Sequence, residues 1–160
     1  MIELVDVHKR FGAVHALRGV SFTARDGTIT GVLGPNGAGK TTSLRIAAGL
    51  LPPDQGAASV DGTDTRAHPL EVRRAIGALP HSHGLYARLT AREHVRYFGR
   101  LHGLTDTVIA ERLERLAEVL DMRDFLDRRA EGFSQGQKLN VAIARALIHD
   151  PNNVILDEPT

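Results

Sequence analysis

Apolar and polar residues alternate with a period near two at the start of the chain and with a period near 3.6 further on. Residues 2–7 (IELVDV) and 19–24 (GVSFTA) are short, β-branched and roughly alternating, which predicts two strands of a half-buried antiparallel sheet. Residues 28–33 (TITGVL) are apolar almost without interruption, as expected of a strand at the centre of a covered sheet. Leu44, Ala47, Ala48 and Leu51 then recur at helical spacing, and Pro52, Pro53 and Asp54 are expected to stop that helix.

Residues 57–60 form a weak strand pattern closed by Asp61-Gly62, a strong turn signal. Residues 75–79 read as another strand, ended by Pro80. From about Thr90 the period becomes helical. Val95, Phe98 and Leu101 share one face; Ile109, Leu113, Leu116 and Leu120 share a second; Leu139, Ala142, Ile143, Ala146 and Leu147 form a third stripe that Asp150-Pro151 ends. Residues 153–156 (NVIL) return to a buried strand. No internal repeat or low-complexity segment interrupts this order. The chain stops directly after the last strand, without a helix to cover it. An α/β sheet has both faces covered, so the end at Thr160 reads as premature.

Composition narrows the class. With 160 residues, 42% of them hydrophobic and 24% charged, the chain suits one globular domain. Twenty basic against nineteen acidic residues give a net charge of +1, so no imbalance points to nucleic acid. The absence of cysteine excludes a disulfide scaffold and fits a reducing cytosol. No apolar run approaches the ~20 residues that cross a bilayer, and the first ten residues do not form a signal peptide. If the protein serves a membrane, another chain is expected to do the spanning.

The strongest chemical signal is Gly34-Pro35-Asn36-Gly37-Ala38-Gly39-Lys40-Thr41, which matches G-x-x-x-x-G-K-[ST] between a predicted strand and a predicted helix. The glycines let the backbone turn tightly, so that several N–H groups face a phosphate where the helix start adds positive potential. Lys40 supplies a mobile charge to the β- and γ-phosphates, Thr41 a hydroxyl for Mg²⁺, and Thr42 reaches a further phosphate oxygen. A glycine-rich turn with an incidental lysine is the competing reading; the flanking strand and helix argue against it.

A second element lies far away in sequence. Residues 153–158 (NVILDE) are an apolar strand ending in two carboxylates. The carboxyl end of a strand in an open α/β sheet faces the ligand crevice, which suits Asp157 to holding Mg²⁺ and Glu158 to polarising the attacking water as general base. Alone, an Asp-Glu-Pro turn with solvated acids would be the better reading; paired with the P-loop, it gives way.

These motifs together resemble the nucleotide-binding domain of ABC transporters. The P-loop reads GPNGAGKTT, the last strand runs into LDEPT, and between them Phe133-Ser134-Gln135-Gly136-Gln137 is similar to the family's L-S-G-G-Q signature. Lys9-Arg10-Phe11-Gly12 resembles the segment whose aromatic residue stacks on adenine, and residues 50–62 follow the pattern after the P-loop helix. The resemblance covers essentially the whole chain. It implies an α/β fold: a P-loop NTPase core with a parallel sheet flanked by helices, an antiparallel β-subdomain and a helical insertion. Residues 1–80 and 149–160 would form the ATP-binding core with the β-subdomain, and 82–148 the helical subdomain. ATP and Mg²⁺ are the implied cofactors.

Residues 136–149 read as one helix, about 20 Å long, so the signature at its far end is not expected to touch the ATP of its own chain. Ser134 and the Gly136 N–H at that helix start form a natural anion site. A head-to-tail homodimer, each signature of Ser134, Gln135, Gly136 and Gln137 capping the other subunit's γ-phosphate, resolves this and is the family's arrangement. Three departures stand out. Gln135 replaces the usual signature glycine. His81 stands where the family has a glutamine contacting Mg²⁺ and water; imidazole does part of that job while neutral. The segment expected after Thr160, with an aspartate-containing interface loop and a histidine for the γ-phosphate, does not follow, so weak or no turnover is expected of the 160 residues alone.

Smaller signals have plainer readings beside them. Phe11 suits a core aromatic as well as an adenine platform, and the resemblance favours the platform. Arg88, Arg92, Arg96 and Arg100 recur every four residues; a solvated basic face is the default, an acidic membrane partner or nucleic acid the alternative. His81 and His83 make only a weak metal pair. Leu85, Tyr86 and Leu89 either pack within the helical subdomain or offer apolar contacts to a transmembrane subunit, as the family's corresponding loop does.

The expected function is ATP binding, with hydrolysis in the complete dimer, driving export through a separate transmembrane permease subunit. The expected location is the cytoplasm, peripheral on the inner face of the cell membrane, with no nucleic-acid partner. The wording at residues 84–86 and 133–138 resembles the single-domain exporter ATPases, including the sodium-exporting group. The alternatives are a soluble ABC protein of translation or DNA repair, and a truncated module that binds ATP without turnover.

Overall fold

The computed structural model describes residues 1–80 and 84–158, in two compact units, Met1–Ile76 and Gly77–Thr160. The first unit is built on a four-stranded antiparallel sheet in the order β2-β1-β3-β4, from β1 (Ile2–Phe11), β2 (Val14–Ala24), β3 (Gln55–Val60) and β4 (Thr63–Asp64). The predicted alternation holds over Ile2 and Leu4, then shifts: Asp6 has φ +48°, the pairing slips there, and Val7 and Lys9 become the inward residues. A bulge of this kind inserts one residue into the ladder and moves every later side chain to the other face. Asp61 and Gly62, both with positive φ, make the two-residue turn between β3 and β4 that the sequence announced.

Helix α1 (Lys40–Ala47) packs Ser43, Ile46 and Ala47 inward. It ends earlier than the prolines suggest. Gly49 at φ +64° donates its N–H to Ile46 O (3.0 Å), and the Leu50 N–H reaches Arg45 O (2.9 Å), a glycine stop three residues ahead of Pro52. Helix α2 (Pro69–Ala75) was not expected, and Ala75 belongs to it rather than to the following strand. Only Val72 of its seven residues is buried, so it leaves no periodic pattern; Pro69 at its first turn is the residue that marks it.

The expectation of a strand at 28–33 is corrected. Among the described residues no strand pairs with this segment, and Ile29 and Leu33 are 103% and 95% exposed. A strand exists only by hydrogen bonding to a neighbour, and an apolar run cannot specify one by itself.

In the second unit, β5 (Ile76–Leu79) and β6 (Asn153–Leu156) form a two-stranded sheet. Of β6 only Ile155 is buried; Val154 and Leu156 are partly exposed, so the strand is less covered than its apolar run predicts. Between these strands run α3 (Ala91–Leu101), α4 (Asp106–Val119) and α5 (Gln135–Leu147), around a core of Val95, Ile109, Leu113, Ala117, Met122, Phe125, Val141 and Ile148. Thr90 and Glu93 form a capping box that starts α3. Leu101 lies outside the stripe predicted for it, 64% exposed, while His94 and Gly99 are buried in its place. A Cβ on Gly99 would sit 2.7 Å from the Ile109 side chain, so α3 and α4 pack together only over a glycine.

The arginine row is solvated, as its default reading has it, but three of its four members are paired. Arg92 pairs with Asp127 and Glu114, and Arg96 and Arg100 both pair with Asp106. These two guanidiniums hold the Asp106 carboxyl far below its usual range. Among the described residues no helix is long and apolar enough to cross a membrane, and no group of three or more His, Cys, Asp or Glu could hold a metal ion.

Candidate functional site

The glycine-rich loop lies in the first unit, exposed from Leu33 to Ala38. Its turn closes with the Ala38 N–H donating to Pro35 O (3.2 Å). Gly37 and Gly39 have φ of +81° and +85°. Their requirements differ. A Cβ on Gly37 would meet open space, whereas one on Gly39 would lie 2.5 Å from both the Ala16 carbonyl oxygen and a Leu17 methyl of β2. Gly39 is therefore the residue that lets the loop enter α1 flush against the sheet. The first intrahelical bond runs from the Ser43 N–H to Gly39 O, so the amides of Lys40, Thr41 and Thr42 precede the helical ladder. No acidic residue occupies the first turn to offset its positive end.

Lys40 does not extend into solvent. Its Nζ donates to Gly34 O (2.8 Å) and Pro35 O (3.0 Å), folding back onto the start of the loop. Both acceptors are neutral carbonyls, weaker partners for an ammonium than a charged oxygen.

Phe11 also lies in the first unit, half exposed at the end of β1, paired with Val14 across a two-residue turn that Gly12 opens at φ +58°. Sequence reasoning missed what stands behind it. Lys9 is 8% exposed, and its Nζ donates to Asp54 Oδ1 (2.7 Å) and Pro52 O (2.8 Å), 5.8 Å from the centre of the Phe11 ring. The available signal was a lysine near an inward position of an alternating strand.

The second unit holds the remaining predicted residues. The Asp157 N–H donates to Leu79 O (3.0 Å), which extends the β5–β6 pairing by one residue and leaves Asp157 buried. Glu158 is exposed, with φ +54°, a left-handed backbone that a side chain other than glycine's seldom adopts. The turn thus separates two adjacent carboxylates, one inward and one toward solvent. Ser134 is the N-cap of α5: its Oγ accepts from the Gln137 N–H (3.2 Å), and Gln137 Oε1 accepts from the Ser134 N–H (3.1 Å). Ser134, Gln135 and Gly136 are exposed. The cap uses the hydroxyl only as an acceptor, so its proton remains available to an anion. Phe133, buried edge-on against Phe125 at 5.2 Å, anchors this turn to the helical core. His81 and His83 lie outside the described residues.

The stretch after them is tied down by a residue the sequence did not flag. His94 is fully buried, its Nε2 accepting the Tyr86 N–H (2.8 Å) while its Nδ1 lies 2.9 Å from Thr90 O. Arg145, also buried, donates to Gly84 O (3.3 Å) and stacks over Phe98 at 4.4 Å. Leu85 packs on the helical core, while Tyr86 stays more than half exposed. Tyr86, Ala87, Arg88, Leu89 and Tyr97 line an open hollow of about 460 Å³.

Comparison with known proteins places these features in a family. Residues 17–160 match the family described as ABC transporter. The chain is similar to the ABC transporter ATP-binding protein NatA of Bacillus subtilis (strain 168), 51% identical over all of this chain and 67% of that protein. It is 38% identical to the Nod factor export ATP-binding protein I of Rhizobium sp. (strain N33), over 99% of this chain and 52% of that protein. It thus spans between about half and two thirds of these relatives' length. The dimeric structure of a bacterial ABC transporter cassette superposes with a TM-score of 0.90 at 28% identity, over all of this chain and 75% of that one. The fold is that of an α/β P-loop NTPase. On the strength of that match and these identities, the chain belongs to the ABC transporter family, as an ATP-binding cassette.

Proposed function

We propose that this chain is the ATP-binding, ATP-hydrolysing part of an ABC exporter, working as a pair of cassettes on a separate transmembrane permease. The observation that carries the reading is the junction at Gly39, where a left-handed glycine pressed against β2 delivers Lys40, Thr41 and Thr42 to the start of α1. The test is calorimetry of Mg²⁺-ATP binding to wild type and Lys40→Ala. The variant loses the loop's only side-chain cation and should bind far more weakly; equal affinity would sink the reading.

In this reading Gly34, Pro35, Asn36, Gly37, Ala38 and Gly39 wrap the phosphates with backbone N–H groups. Lys40 leaves its carbonyls for the β- and γ-phosphates, Thr42 takes a further phosphate oxygen, and Phe11 stacks on adenine. Thr41 and Asp157 would hold Mg²⁺: a hydroxyl and a buried carboxylate are the hard oxygen donors that this ion prefers. When bound, the ion neutralises charge on the phosphate oxygens. Glu158 orients and deprotonates water, with His81 in the place of the family's glutamine. Ser134, Gln135, Gly136 and Gln137 act on the partner subunit's ATP. The division into a core of 1–80 and 149–160 and a helical subdomain of 82–148 belongs to the same proposal.

The dimeric cassette structure supports pairing, and the relative named for Nod factor export supports transport over a soluble clamp. The hollow at Tyr86, Leu89 and Tyr97 is the surface we assign to the permease, with the chain peripheral on the cytoplasmic face of the membrane. Its apolar lining with a single arginine suits a helix end from a membrane protein. A place near the sodium-exporting group is the finest part of the reading.

A further inference from the structure

We propose that the ion pair between Lys9 and Asp54 is a positioning device for nucleobase recognition, holding the end of β1 so that Phe11 presents its ring to adenine. The inference rests on the reading of Phe11 as the adenine platform. A lysine almost never takes an inward place in a strand unless its charge is paired. Lys9 is paired twice, to Asp54 Oδ1 and to the Pro52 carbonyl.

Asp54 does more than neutralise it. The β1–β3 ladder ends at His8 and Gln55, and the Asp54 N–H donates to His8 O (2.9 Å). One step further out, Asp54 Oδ2 accepts the Arg10 N–H (2.7 Å), where another strand residue would have supplied a carbonyl. A single carboxylate thus holds the side chain of residue 9 and the backbone of residue 10, the two residues before Phe11. On the other edge, the β1–β2 pairing slips between Lys9 and Arg10, so the clip acts at one of the irregular steps of the ladder.

With the Asp54 side chain 42% exposed, the pair contributes little net stability, because water screens the attraction; what it fixes is geometry. Here the fixed geometry ends at the ring. The Lys9 ammonium, 5.8 Å from the Phe11 centroid, sits within cation–π range and sets which way the ring can lie. Loss of the clip should therefore weaken contacts to the base and leave contacts to the phosphates alone.

The experiment measures Mg²⁺-ATP and inorganic tripolyphosphate binding by calorimetry for wild type, Phe11→Leu, Asp54→Asn, Lys9→Met and the double variant Phe11→Leu/Asp54→Asn. Stacking a base on an aromatic ring is worth about tenfold in affinity or more, so Phe11→Leu should lose about that for ATP. Asp54→Asn and Lys9→Met should each lose a part of it, roughly threefold or more. Tripolyphosphate affinity should hold in every variant, which also reports an intact loop. In the double variant Asp54→Asn should add nothing, since its effect passes through the ring. An undiminished Asp54→Asn effect without Phe11, or an equal loss for tripolyphosphate, would overturn the positioning role alone. ATP binding unchanged in Phe11→Leu would instead remove the platform reading on which the proposal stands.

Discussion

His94 holds Tyr86 by its backbone: the buried imidazole Nε2 accepts the Tyr86 N–H at 2.8 Å, and the two rings stack with their centres 6.0 Å apart. Because that nitrogen accepts, the proton of the neutral ring sits on Nδ1, aimed at Thr90 O. Burial pushes the His94 pKa down, and the nearby Arg145 charge pushes the same way; the Thr90 carbonyl and Glu93 oppose them. A second proton would cost the Tyr86 bond.

Above the unperturbed pKa of ~6.5 both folded and unfolded chains carry neutral His94, and its contribution is constant. As pH falls below that value the unfolded chain takes up a proton that the folded chain refuses, so stability declines. Urea melts between pH 7.5 and 5.5 should show a decline that is shallower in His94→Gln. Parallel declines would mean that other groups cause it.

Two glycines of the phosphate loop should answer alanine substitution differently. Gly37→Ala meets open space and bears only the left-handed backbone, about 1–2 kcal/mol. Gly39→Ala adds a Cβ 2.5 Å from the Ala16 carbonyl and should cost clearly more, roughly 3 kcal/mol or above, or shift α1 off the sheet. Equal midpoints in thermal melts of the two variants would contradict the close approach.

Ser134 has a structural and a proposed chemical task, which substitution can separate. Ser134→Ala loses the cap of α5 and about 1 kcal/mol of stability. Ser134→Asn keeps a capping oxygen but no hydroxyl. If the hydroxyl serves the partner's ATP, the asparagine variant should melt like wild type yet show weaker ATP-dependent pairing by light scattering. Full pairing would leave Ser134 as a cap only.

Glu158→Gln removes the proposed base without changing shape. ATP affinity should stay within about twofold of wild type, while phosphate release by the paired cassettes falls on the order of 10²–10⁴. Unchanged turnover would transfer the base role elsewhere.

Several features were legible in the sequence because neighbours along the chain determine them. The turn at Asp61-Gly62 needs only two residues that accept positive φ, and the G-x-x-x-x-G-K-T spacing lays a tight loop before α1. The stripe of α4 is likewise local, whereas α5 gives Val141, Ala144 and Ile148 to the helical core, none of them in the stripe read from its period. Other features depended on partners distant in sequence. Residues 28–33 have a strand's composition, yet pairing decides a strand and none of the described strands supplies it. The bulge at Asp6 turned Lys9 inward, and a carboxylate 45 positions away made that tolerable. His94 took the buried place expected of Leu101 because a backbone N–H from Tyr86 and the Thr90 carbonyl were there to meet its ring. Local chemistry wrote the loop and the helices; long-range pairing of hydrogen bonds and charges chose which polar residues could be buried behind them.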